Sequence, residues 1–120
     1  MKVQRYDITD TTQGRPCMSR VVVHGDTVYI SGVTPDPEGD IKTQTRQVLD
    51  RIDGYLKIGG TDKSKLLSAQ VWLTDMENFS DMNSVWNDWV DRNNPPVRAC
   101  VSARLRRPDM MIEIMVTAAR

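Results

Sequence analysis

Short alternating or β-branched runs near the start of the chain predict strands. "KVQRYDI" alternates enough for a short first strand. "RVVVHGDTVYISG" places β-branched runs on either side of His24, Gly25 and Asp26, which predicts a hairpin whose reversal the glycine supplies. His24 is therefore read as an exposed turn residue, not as a catalyst. "VTPDPEGD" (residues 33–40) is a loop, because its prolines and glycine cannot continue a strand. The period then changes. Ile41, Thr45, Val48, Leu49, Ile52, Tyr55 and Leu56 recur at three- and four-residue spacing behind Asp40, a suitable N-cap, and Gly59-Gly60 stop the helix. "KLLSAQVWLTDM" returns to a strand, with Leu67, Ala69, Val71 and Leu73 alternating against more mixed neighbours. A second helix starts at Asn78 or Ser80 and runs to about Asp91, with Phe79, Met82, Val85, Trp86 and Trp89 on its apolar face. The prolines Pro95-Pro96 prevent its continuation.

Two further strands are predicted in "NPPVRACVSARLRRPDMMIEIMVTAA". The resulting order is β-β-β-α-β-α-β-β. It predicts one α+β domain over residues 1–120, with both helices on one face of a mostly antiparallel sheet. No internal repeat or interdomain linker interrupts it. Alternation assigns Val97, Ala99, Val101 and Ala103 to one face of the fifth strand, and Arg98, Cys100, Ser102 and Arg104 to the other. In the sixth, Ile112, Ile114, Val116 and Ala118 oppose Met111, Glu113, Met115 and Thr117. The aliphatic faces are expected to cover the helices. A turn near Arg107-Pro108 would join the two strands as a hairpin, with Glu113 opposite Cys100 and Arg98 one diagonal step away. Arg98 and Glu113 are then either an exposed cross-strand ion pair, worth at most ~1 kcal/mol, or part of a site. The methionines flanking Glu113 suggest a face covered by another subunit.

Composition narrows the chemistry. Sixteen basic residues balance sixteen acidic ones in 120, so no global field favours nucleic acid or anionic lipid. "RLRRP" (residues 104–108) is the only dense basic run and reads as a solvated turn. Cys17 and Cys100 are the only cysteines, at no metal-like spacing, and the single histidine leaves no recognisable metal site. No organic cofactor or metal is expected. The opening "MKVQRYDITD" lacks an apolar h-region and no run is long enough to span a membrane, so a cytoplasmic protein with free thiols is the expectation.

"PPVRACVSARL…MIEIMVTAA" resembles the RidA/YjgF/YoaB family (Rid, or RutC-like), with its Arg-x-Cys-Val strand and Glu-containing terminal strand. "VYISG" (residues 28–32) and "NFSDMNSVWNDWV" (residues 78–90) are similar to further family segments in the same order, and the texture is closest to the YoaB-like branch. The resemblance implies a chorismate-mutase-like fold assembled as a homotrimer around a central barrel, with clefts at the subunit interfaces. It also implies hydrolysis of reactive 2-enamine or 2-imino acids, such as 2-aminoacrylate, to 2-keto acids and ammonia.

Position by position, Arg98 matches the arginine that clamps the substrate carboxylate, and Glu113 the glutamate that positions or activates water. Cys100 matches a cysteine whose backbone lines the pocket; no histidine lies near it in sequence to make it a nucleophile. Ser31 and Gly32 match pocket-lining positions. Asn83 matches a helix asparagine near the site, or is a structural hydrogen-bonding residue. Where relatives carry a cleft-closing aromatic, the text reads "RPCMSR", which puts Cys17 or Met18 there. Val33 and Met115 also depart from common family residues. These departures leave the choice of substrate open, and with it a second reading: a weakly catalytic or non-catalytic binder of carboxylate metabolites. The family's endoribonuclease and translation-inhibitor descriptions fit this neutral chain least.

Overall fold

The computed structural model describes residues 1–120. Its strands are β1 (Val3–Ile8), β2 (Ser19–His24), β3 (Thr27–Ile30), β4 (Leu66–Leu73), β5 (Val97–Ser102) and β6 (Ile112–Ala119). Its two α-helices are α1 (Ile41–Ile58) and α2 (Phe79–Trp89). The predicted order is therefore present, as is the α+β class. The β2–β3 reversal falls at Gly25, whose φ of 61° is the left-handed conformation that glycine adopts without steric cost. Asp40 caps α1 by accepting a hydrogen bond from the Thr43 backbone N–H at 2.9 Å.

One six-stranded sheet runs β1-β2-β3-β6-β4-β5, and every pairing is antiparallel except β4 with β5. The last element thus lies in the middle, between β3 and β4. The expected β5–β6 hairpin does not form. Its connection, residues 103–111, is too long for a tight turn and instead straddles the end of β4. The Ala103 N–H donates to the Leu73 carbonyl at 3.0 Å, and the Thr74 N–H donates to the Met111 carbonyl at 3.1 Å. β5 reaches its parallel place beside β4 through α2, the crossover that a parallel pair requires.

This topology also corrects the faces of β5. Directly paired residues share a face. Ala69 pairs with Arg98 and Val71 with Cys100, and both partners in β4 are buried under the helices. Arg98 and Cys100 therefore point toward the helix layer, and Val97, Ala99 and Val101 point away from it. For β6 the predicted assignment holds: Ile112, Ile114, Val116 and Ala118 are all buried. In β4, a register irregularity between Leu66 and Ser68 buries Leu66 and leaves Leu67 exposed, so Leu67 does not share the face of Ala69, Val71 and Leu73 with which alternation grouped it.

A single core joins the inner face of the sheet to α1 and α2, through Val48, Leu49, Ile52 and Leu56 on one helix and Met82, Val85 and Trp86 on the other. Gln44 and Thr45 are the buried polar residues, and both are satisfied. The Thr45 hydroxyl donates to the Ile41 carbonyl at 2.7 Å. Gln44 bonds at both ends of its amide: its Nε2 donates to the Asp109 carbonyl at 3.0 Å, and its Oε1 accepts from the Met111 N–H at 2.8 Å. The opposite face of the sheet carries no helix. On it Val97 and Val101 remain 74% and 46% exposed, with Met115 and Tyr29 also open. No helix is long and apolar enough to cross a membrane.

Candidate functional site

Six of the eight residues singled out from the sequence fall into two groups on opposite faces of the sheet, while Cys17 and Met18 lie just before β2. The first gathers where β3 ends beside β6. The Ser31 N–H donates to the Arg20 carbonyl at 3.0 Å, and Val33 and Ile114 exchange backbone hydrogen bonds at 2.8 and 3.1 Å. That bridge lays Gly32 against the Glu113 side chain. A Cβ on residue 32 would overlap a carboxylate oxygen of Glu113 and sit 3.2 Å from its Cδ, so the close approach requires glycine. The Ser31 hydroxyl is buried with no protein partner. Met18 precedes β2, and its backbone exchanges hydrogen bonds with Thr9. Cys17 is exposed.

Glu113 pairs with Trp72 on the open face, and its carboxylate makes no hydrogen bond or ion pair within the chain. Partial burial pushes its carboxyl pKa above the usual value, and the Arg106 charge only partly opposes this. A carboxyl whose pKa is raised in this way exchanges its proton closer to neutrality than an ordinary glutamate does.

The second group lies beneath α2. Arg98 stands with its guanidinium 5.3 Å from the Trp86 ring centroid and 5.9 Å from that of Phe79, and its Nη1 is 3.8 Å from the Met82 sulfur. These contacts hold a half-buried cation in place without neutralising it, because no carboxylate lies within ion-pair distance. Cys100 packs against the core two residues along. Burial raises its thiol pKa, with Arg98 pulling the other way, so it rests as the thiol at neutral pH. The Asn83 side-chain oxygen is buried with no partner in the chain.

Arg98 and Glu113 therefore do not meet within one chain. Arg98 aligns with Ala69 and Val116, whereas Glu113 aligns with Trp72 and Val101. Three residues along the strand and two strands across place their backbones roughly 10 Å apart in each direction, with side chains on opposite faces. The cross-strand ion pair is absent. What the two charges share is an unsatisfied condition: each is partly buried and has no opposite charge within ion-pair distance.

Two features of this region were missed from sequence. The Phe79 and Trp86 rings around Arg98 have a signal, their seven-residue spacing on one helix face, but the same spacing marks an ordinary core stripe. The other is a cleft of about 530 Å³ that includes Gly32 in its wall and is lined by arginines from three separated parts of the chain. No local sequence pattern announces it.

Comparison with known proteins places the chain in a family. The family model described as Endoribonuclease L-PSP matches residues 15–120. A RutC family protein of Haemophilus ducreyi is 40% identical over 118 residues, which cover 98% of this chain and 96% of that one. The chain is a member of the RidA/YjgF/RutC family. The RutC family protein YoaB of Escherichia coli is 39% identical over 101 residues, covering 84% of this chain and 89% of YoaB. The crystal structure of NMB1025, a member of the YjgF protein family from Neisseria meningitidis, superposes with a TM-score of 0.89 at 36% identity. That match covers all of this chain and 96% of the other. RutC-family membership agrees with the similarity in "PPVRACVSARL…MIEIMVTAA", and the sheet with both helices on one face is the fold of these relatives.

Proposed function

We propose that this RutC-family protein hydrolyses 2-imino acids, and the 2-enamine acids that tautomerise to them, to 2-keto acids and ammonia. The single observation that carries this reading is the pair of unpartnered, pre-positioned charges, Arg98 and Glu113. A guanidinium presents a planar fork that matches a carboxylate. A carboxyl with a raised pKa, packed against a glycine beside an unpartnered serine hydroxyl, suits a water-activating base.

In the proposed reaction Arg98 holds the substrate carboxylate. Glu113 accepts a proton as water oxygen bonds to the imine carbon, and the C=N electron pair moves to nitrogen. Glu113 returns the proton to that nitrogen. The carbinolamine then collapses to the 2-keto acid with release of ammonia. Imino acids already hydrolyse in water, so positioning and one acid–base group meet the catalytic demand.

Since Arg98 and Glu113 lie on opposite faces of one sheet, the reaction requires a second copy. The assembly we propose is a homotrimer in which Arg98, Cys100 and Asn83 of one subunit meet Ser31, Gly32 and Glu113 of its neighbour, with Cys17 and Met18 at the rim. The exposed valines on the open sheet face support such an assembly.

The test is ammonia release from 2-imino acids generated in situ. The wild-type protein is expected to accelerate it, and Arg98→Ala to reduce the rate constant about a hundredfold or more, with an unchanged far-UV circular dichroism spectrum. No acceleration across several imino acids would overturn the enzyme. If 2-keto acids still bound through Arg98, the protein would be a carboxylate-metabolite binder instead, a role that the exposed Cys17 at the rim favours.

A further inference from the structure

The cleft beside Gly32 has no part in the reaction as described, yet its charge is far from that of the chain. The whole sequence is electrically balanced. The cleft is lined by Arg15, Arg20, Arg51, Arg106 and Arg107, against one carboxylate, Asp36. Arg20 pairs with Asp7 at 3.5 Å, Arg51 with Asp36 at 2.9 Å, and Arg107 with Asp109 at 3.3 Å. Arg15 and Arg106 have no carboxylate within 4.0 Å and make no side-chain hydrogen bond in the fold. Converging cations repel one another, and in a recess partly screened from water that repulsion is relieved by an anion.

The cleft also touches the proposed reaction centre. Gly32 lines it and is the residue against which Glu113 packs. Arg106 lines it too, and its charge reaches Glu113. An extended ligand with its reacting carbon at Glu113 can therefore run into this recess. An alkyl or aromatic tail there would strip water from guanidinium groups without replacing the lost hydrogen bonds, whereas an anionic tail would replace them.

We propose that the cleft receives a second anionic group of the substrate, so that the preferred substrates are 2-imino acids carrying a carboxylate or phosphate at the end remote from the imine. This rests on the deaminase reading for the reacting end, whereas the anion recess itself does not. Carboxylate and phosphate share the required chemistry, a compact oxyanion that accepts from several guanidinium donors.

Calorimetric titration with product-like 2-keto acids tests the proposal without turnover. The probes are 2-oxoglutarate and phosphonopyruvate, each with a second anion, and 2-oxobutanoate, which has none. Both diacids are expected to bind about tenfold or more tightly than 2-oxobutanoate. The Arg15→Gln/Arg106→Gln double variant is expected to bring their affinity down to that of the monoacid. The order of the two diacids then tells carboxylate from phosphate. Equal binding of all three ligands by the wild-type protein, or a diacid preference that survives in the double variant, overturns the proposal. A diacid preference in a protein that hydrolyses no imine would overturn the deaminase and leave the recess standing.

Discussion

Glu113 concentrates the functional argument in one side chain. Its pKa is raised by partial burial, so the folded state holds the proton more tightly than the unfolded chain does. Its contribution to stability is full below the ordinary glutamate range and is lost as pH rises through the raised folded value. Glu113→Gln removes that loss. The variant is therefore expected to be more stable than wild type at neutral pH, by no more than about 1 kcal/mol given the carboxyl's partial solvent access, and to match it under acid conditions. Imine hydrolysis should fall in the same variant. Parallel thermal melts at acid and neutral pH check the stability, and the ammonia assay checks the activity. A residue retained at a stability penalty is expected where function requires it. Arg98 and Glu113 were legible as anomalies because a charge inside a strand rich in Val, Ile and Met breaks the pattern. Their separation was not legible. Alternation within a strand gives two faces but not which of them meets the helices.

Among the elements, α1 was readable almost residue by residue, because its cap, its stripe and its stop are all local. β5 and β6 were readable as strands, but their neighbours were not. Pairing is decided by contacts distant in sequence, and β4, some thirty residues upstream of β5, takes the place that proximity assigned to a hairpin. Gln44 makes one of these distant contacts visible. From α1 it holds both the Asp109 carbonyl and the Met111 N–H, and so fixes where the chain enters β6. Gln44→Leu fills the same volume but leaves both backbone groups without partners in a buried setting. We expect a loss of about 2–4 kcal/mol in unfolding free energy, measurable by urea denaturation. Hydrogen exchange at Met111 and Ile112 should accelerate more than in β2. A variant as stable as wild type would mean that water takes over the role of Gln44.

For the molecule as a whole, the helix layer covers one face of the sheet and nothing in the chain covers the other. Val97 and Val101 are already exposed in the single chain, so replacing both with glutamate should leave the subunit folded. If the open face is where copies meet, the Val97→Glu/Val101→Glu variant will sediment as a smaller species than wild type. It will also lose imine hydrolysis, because Arg98 and Glu113 will no longer be brought together. Wild-type sedimentation with intact activity in that variant would place the interface elsewhere.

The position of β6 has a consequence in time as well as space. The strand that comes last in the order is the one that welds β1-β2-β3 to β4-β5. Before β6 is made, β1-β2-β3 and β4-β5 have no strand between them, so any pairing among the earlier strands leaves edges at β3 and β4 facing the gap that β6 fills. The sheet, the core beneath it and the Gly32–Glu113 contact can then arise only together, once the final strand is made. Until that moment the nascent chain displays two open β-edges, a state in which pairing with the wrong chain competes with folding.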